Sequence, residues 1–217
     1  MNENPRFQRA RKPEEIEARR LTLLAAAAEL FDAEGPQGAG LNAIAAKAGF
    51  TKSNVYRYFE SREQVLLELF LAEMDQLVPE VCARLEAAPE GDVPALANIV
   101  AGAFTARPRL GQLTAILAGV IEANVSEDTI VRTKRTMAAQ TGRLAEALHR
   151  RLPGSTVTDC LWAVAMVGTL VAGMWPAARP SPAAARVLAR EEFAPLRPNI
   201  ERDLGRAAAA LIGSIVP

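Results

Sequence analysis

The apolar residues of this chain recur at a helical period almost everywhere, and no stretch alternates apolar with polar long enough to specify a sheet. That property confines the fold to the all-α class, in which helices bury apolar stripes against one another. Pro13 opens the first helix, with Glu14, Glu15 and Glu17 in its opening turns, where acidic side chains suit the positive end of the helix dipole. Ile16, Leu23, Ala27, Leu30 and Phe31 form its apolar stripe, and Gly35-Pro36 stops it. Leu41, Ile44, Ala45 and Ala48 then mark one face of a short helix that Gly49 ends, and Thr51 is placed to cap the next.

That next helix, expected over residues 52–59, is where the chain gathers its rings. Of two tyrosines, two tryptophans and seven phenylalanines, both tyrosines and two phenylalanines fall between Phe50 and Phe59, interleaved with Lys52, Ser53, Asn54 and Arg57. At about 100° per residue, Val55 and Phe59 face the preceding helix, and Ser53 and Arg57 face away with Asn54 beside them. Tyr56 and Tyr58 lie on the flanks, where a ring rests on the core and its hydroxyl points outward. Ser61 with Gln64 makes a capping box for a further helix, whose apolar residues begin at Val65, Leu66, Leu69 and Phe70. Two short helices around a glycine turn, the second with a polar outer face, form a helix-turn-helix, and Ser, Asn, Arg and Lys are side chains that bond to base edges and phosphates. The bland alternative is a helical corner whose polar face is only solvated.

Composition narrows the remaining classes. Lys plus Arg and Asp plus Glu each total 25, so a charged partner must be met by a local patch rather than by net charge. The first residues supply one such patch, a short basic arm of Arg6, Arg9, Arg11 and Lys12. Cys82 and Cys160 lie too far apart for a CxxC motif or a disulfide framework, which points to a reducing, cytoplasmic setting. His149 is the only histidine, which excludes His-rich metal sites and most Ser-His or Cys-His nucleophile systems. The N-terminus has no apolar run of the signal-peptide kind. Residues 160–178 carry no charge but are expected to end as a helix at Pro176, short of a bilayer's thickness, so no membrane span is expected.

"LLAAAAELFDAEG" followed by "LNAIAAKAGFTKSNVYRYFESREQVL" resembles the N-terminal domain of the TetR family of bacterial transcriptional regulators over residues 21–70. The shared pattern is an alanine-rich helix, Leu-Phe, Gly, Ile-Ala, Ala-Gly-aromatic, Thr-Lys, Tyr-x-Tyr-Phe and a capped helix. The resemblance implies an all-α protein with an N-terminal three-helix helix-turn-helix domain, residues 1–60, followed by a helical effector-binding and dimerisation domain, residues 61–217. It implies a homodimer that places two recognition helices on an inverted-repeat operator in double-stranded DNA and releases it when a small-molecule effector binds. It places Thr51, Lys52, Ser53, Asn54, Tyr56, Arg57 and Tyr58 at DNA-contact positions, with Asn42 and Arg62 beside them. It implies no catalytic residue, cofactor or metal. One departure is Ala39-Gly40, where the family often has Thr or Ser; a hydroxyl contact to phosphate is lost there, though glycine still tolerates the cap conformation.

In the second half, helices are expected over residues 93–106, 109–123, 127–152, 158–175 and 200–215, with a Pro-rich connection at 176–198. Ala165, Gly168, Thr169 and Ala172 form a seam of small residues, and Ile200, Leu204, Ala207, Ala208, Leu211 and Ile215 another. Small residues let helices approach closely, so the helices near 158–175 and 200–215 suit a symmetric dimer interface. Phe104, Leu113, Leu117 and Ile121, with Met137, Trp162 and Met166, are candidates to line an effector pocket, although each residue of this kind is more often plain core. Glu122 and Asn124 end an apolar helix and either orient a polar ligand atom or are simply solvated; His149 reads as a surface residue near a helix end. The rival functions are a helical enzyme or small-molecule carrier and a nonspecific architectural DNA binder. The first lacks an acid-base pair or phosphate loop, and the second lacks the usual basic composition.

Overall fold

The computed structural model describes residues 13–217, so the basic arm lies outside the described residues. Among the described residues every regular element is helical. The chain forms two compact units, Met1–Leu69 and Phe70–Pro217. The division falls inside a long helix rather than at its start, where the sequence placed the boundary.

In the first unit, α1 (Pro13–Glu34) packs on α2 (Leu41–Ala48), and α2 on α3 (Lys52–Val55). Leu23, Ala27, Phe31, Ile44, Val55 and Phe59 are at most 1% exposed and make the core. Ile16, expected on the buried stripe, is instead 45% exposed, because α1 has more turns than the two short helices cover. Gly49 adopts φ +72°, the left-handed cap that turns the chain from α2 toward α3.

The helix expected over 52–59 is a single α turn, Lys52–Val55, tightened into a following turn by bonds such as Tyr58 N–H to the Val55 carbonyl at 2.9 Å. Thr51 occupies the cap position without capping: its hydroxyl lies 3.2 Å from that of Ser53. The next helix, α4 (Arg62–Ala87), is capped nearly as expected. Ser61 Oγ accepts from Gln64 N–H at 3.1 Å, and Gln64 Oε1 accepts from the Glu60 N–H at 2.8 Å, one residue before the cap.

The first turns of α4 are tied down within the first unit. Glu68 pairs with Arg20 of α1, and Arg62 donates to Gln37 Oε1 at 2.8 Å. Burial pushes the Glu68 carboxyl above the usual carboxylate range, and the Arg20 guanidinium only partly offsets it. Later turns of α4 are tied within the second unit: Glu73 accepts from Arg109 at 2.8 Å, Glu80 from Arg107 at 2.7 Å, and Asp75 from the buried Gln140 side chain at 2.5 Å.

The second unit is arranged around α8 (Val157–Ala178), which packs against α5 (Val93–Thr105), α6 (Pro108–Ile116), α7 (Glu127–His149) and α10 (Ile200–Gly213), with the short α9 (Pro182–Leu188) in the Pro-rich connection. The α8 helix runs through Pro176 instead of ending there, because the missing N–H removes a single bond when only Ala177 and Ala178 follow. It is therefore long and apolar enough to cross a membrane by length and composition, but Cys160, Ala163, Val164, Val167, Val171 and Trp175 are buried in this unit. Burial pushes both thiols, Cys82 and Cys160, above the ordinary range, which disfavours the thiolate form.

Gly111 of α6 lets the α8 ring of Trp175 approach: a Cβ there would lie 2.3 Å from ring carbons. Trp175 is 2% exposed, and the Arg179 guanidinium sits 4.0 Å from its ring centroid, so the ring has little room to yield. Gly111→Ala should therefore lose stability by about 1–2 kcal/mol, overpacking outweighing the helix propensity gained. Urea denaturation compares the variant with the parent; an unchanged midpoint would show that the ring can move aside.

Candidate nucleic-acid interface and effector cavity

The α2–α3 corner presents its polar residues outward. Lys52, Ser53, Tyr56 and Arg57 are exposed, Asn54 and Tyr58 half-buried, and Asn42 exposed at the start of α2. Val55 and Phe59 fix this orientation from beneath. The Lys52 ammonium lies 5.7 Å from the Tyr56 ring centroid, a contact that positions a cation on the outer surface. Asn54, Arg57 and Tyr58, with Phe50, line a shallow cleft of about 130 Å³ whose other wall is Ile16 and Arg19 of α1. Two guanidinium groups and a phenol around one groove suit anionic oxygens such as phosphates. Arg19 was not singled out from sequence, where its neighbour on the helix, Ile16, read as part of the buried stripe and gave no sign of an outward-facing groove. Arg62 differs from its neighbours: its guanidinium is committed to Glu63 at 2.7 Å and to Gln37, contacts it would have to release to reach DNA.

The second unit has a cavity of about 380 Å³, partly open to solvent. Of the residues proposed from sequence, Phe104, Leu117 and Met137 are on its wall. Leu113 and Ile121 are fully buried in packing, Trp162 is 46% exposed, and Met166 is half-buried away from the cavity. Two physical causes account for the difference.

The first is the end of α6. A helix was expected through residue 123, but α6 stops at Ile116 and the chain continues as a wider π turn, Leu117–Ile121, and a tight turn, Glu122–Asn124. The Glu122 N–H bonds back to the Leu117 carbonyl, so positions five apart share a face in place of positions four apart. Glu122 thereby takes the place on the wall that the helical period assigned to Ile121. Asn124 does not reach the wall: it is exposed and donates to the Val120 carbonyl at 2.7 Å.

The second cause is that a cavity forms where side chains are small. On α8 the wall is Val164, Ala165, Gly168, Thr169 and Ala172, so the small-residue seam read as a dimer contact also makes empty space. Phe70 and Met74 of α4 complete one side. Polar groups are few: Thr114, Thr141, Thr169 and the ion pair of Glu122 with Lys134 at 2.5 Å.

His149 is half-buried rather than superficial. Its Nδ1 lies 3.1 Å from Ser155 Oγ, and Ser155 donates its proton to the Leu152 carbonyl at 2.8 Å. The hydroxyl is thus an acceptor from the imidazole, 8% exposed and spent on the chain, which is a structural arrangement and not a nucleophile. Among the described residues, no group of three or more His, Cys, Asp or Glu is placed to hold a metal ion.

Comparison with known proteins extends the geometry. The family described as "Bacterial regulatory proteins, tetR family" matches residues 23–69, and "Tetracyclin repressor-like, C-terminal domain" matches residues 71–213. No sequence among the curated proteins matches. Similar solved structures include a TetR-family transcriptional regulator from Streptomyces coelicolor, 18% identical, with 91% of this chain and 99% of that one aligned and a TM-score of 0.59. The fatty acid degradation regulator FadR of Bacillus halodurans is 15% identical over 95% and 98% of the two chains, with a TM-score of 0.55. AlkX of a Dietzia strain, a TetR-family repressor implicated in n-alkane biodegradation, is 15% identical over 97% and 100%, with a TM-score of 0.54. At these identities the likeness establishes the fold.

Proposed function

Because the chain belongs to the TetR family of bacterial regulatory proteins, and is thus a DNA-binding transcriptional regulator, we propose that it acts as a ligand-released repressor, binding an inverted-repeat operator as a homodimer. The observation that carries this reading is the outward polar face of the α2–α3 corner, held from beneath by Val55 and Phe59. Ser53, Asn54 and Arg57 are the proposed base-reading residues; Asn42, Thr51, Lys52, Tyr56 and Tyr58 are the proposed phosphate contacts, with Arg62 joining them once released from Gln37.

The proposed dimer contact is α8 with α10. Leu161, Trp162, Ala165, Thr169 and Gly173 leave an uncharged, exposed stripe along α8, which a second copy of the chain would cover. On α10 the contact is narrower than the sequence suggested. Leu204 and Ala208 are buried within the unit itself, leaving Ala207, Leu211 and Ile215 half-exposed.

The cavity is the proposed effector site, and α4 the proposed lever. A single helix carries Phe70 and Met74 on the cavity wall and Glu68 and Arg62 in the ties of the first unit. A ligand that shifts α4 would alter the spacing of the recognition helices in the dimer, and half-sites about 34–36 Å apart tolerate little change.

Selection of genomic DNA fragments with the purified protein tests the reading. A shared inverted repeat among bound fragments is the expected result. Recovery of random fragments, with binding that only follows ionic strength, would overturn it.

A further inference from the structure

The hydroxyl protons around the cavity are already spent. Thr114 donates to the Leu110 carbonyl at 2.8 Å, Thr141 to Met137 at 2.8 Å and Thr169 to Ala165 at 3.0 Å, each one turn back on its own helix. Toward the cavity these threonines present only lone pairs. The remaining polar groups are the Glu122 carboxylate, an acceptor, and the Lys134 ammonium, a donor already engaged by Glu122 at 2.5 Å. An otherwise apolar space thus offers acceptors and one cation, the Lys134 ammonium, which already bonds to Glu122.

The two partners of that ion pair are not equally fixed. The Glu122 side chain is 16% exposed, held at the π turn, whereas Lys134 is 52% exposed on a flexible stem. Lys134 can withdraw into water at little cost, whereas Glu122, on a shorter and less exposed side chain whose backbone the turn fixes, stays nearer the wall. A ligand ammonium could therefore replace the lysine on Glu122 and keep the carboxylate paired. A ligand carboxylate would meet Glu122 as a like charge, find no free hydroxyl proton, and have to share the single Lys134 ammonium with Glu122, leaving two carboxylates against one cation.

We infer that the cavity selects an amphiphilic cation: an apolar body lying among Phe70, Phe104, Leu117 and Val164, with a protonated amine displacing Lys134 from Glu122 and donating to the threonine oxygens. This rests on the cavity being the effector site and assigns the chemical class of its ligand. The internal lysine then acts as a stand-in for the ligand's charge, keeping Glu122 neutralised in the unliganded state.

Calorimetric titration of the full chain at neutral pH with decylamine, decanol and decanoate tests it, since one apolar body carries three head groups. Decylamine should bind tightest, at least about tenfold above decanoate. Glu122→Gln should weaken decylamine about tenfold or more and leave decanol within about twofold, the decanol titration confirming an intact cavity. Lys134→Met, which removes the internal competitor, should tighten decylamine several-fold. Decanoate binding as well as decylamine, or decylamine binding unchanged by Glu122→Gln, overturns the inference while leaving the cavity an effector site. Failure of all three probes to bind overturns the inference and the effector-site reading together. Binding of decylamine through Glu122 without any effect on DNA affinity upholds the inference and removes the proposed lever.

Discussion

Arg57→Ala should weaken binding to the selected operator by about 1–3 kcal/mol, roughly 5- to 150-fold, and relax base preference at one position in each half-site. The expectation rests on placement: Arg57 is exposed on the face opposite Val55 and Phe59, at the cleft it shares with Arg19 and Tyr58. A guanidinium there can reach a guanine edge with two parallel hydrogen bonds, which a wrong base cannot accept. Tyr58→Phe removes a single hydroxyl at the cleft and should cost about 1 kcal/mol on operator and random DNA alike, because a phosphate contact positions without reading. Gel-shift titrations of both variants on operator, single-base operator variants and random duplex separate these roles. An equal loss from Arg57→Ala on every sequence would make it a phosphate contact. Unchanged affinity for both variants would take this turn out of the groove.

The first unit was legible in the sequence because its signals are local. The Leu41, Ile44, Ala45 stripe, the Gly49 cap and the Ser61 with Gln64 box each act within a few residues, and each is present in the structure. What the sequence overstated was regularity. The helix over 52–59 reduces to one turn, since the same apolar anchors, Val55 and Phe59, stay buried whether the turn between them is α or tighter. Ion pairs across sequence, such as Arg20 with Glu68 and Arg109 with Glu73, left no periodic trace at all.

The cavity was far less legible, and for opposite reasons at its two sides. Sequence reading searches for large apolar side chains, so it selected Trp162 and Met166, whereas α8 forms the wall with Gly168, Ala165 and Ala172. It also assumed an unbroken period through residue 123, and a single π turn was enough to exchange Ile121 for Glu122. The change matters chemically, because it replaces a methyl surface with a carboxylate on the wall. No motif announces such a turn; Gly119 within it is the only local hint.

Filling the cavity should uncouple the two activities, and Leu117→Trp is the substitution that does so. Leu117 is 8% exposed on the cavity wall at the start of the π turn, and a larger ring there occupies space that a ligand body needs in a cavity of about 380 Å³. The tightest-binding member of the decyl series should lose about tenfold or more in affinity, since overlap with the indole costs on the order of 1–3 kcal/mol. DNA binding by the unliganded variant should stay within about twofold of the parent, because Leu117 belongs to the second unit and the reading residues to the first. In the parent, linkage adds a stricter requirement: the factor by which the decyl ligand weakens operator binding must equal the factor by which operator weakens the ligand. Titrating each against saturating amounts of the other measures both factors. A parent showing ligand binding without the reciprocal effect would leave α4 a rigid connector rather than a lever. Ligand affinity unchanged in Leu117→Trp would place the effector outside this cavity, whereas loss of ligand binding with DNA binding retained is what an effector site in this cavity requires, the reciprocal factor in the parent deciding whether α4 couples it to DNA.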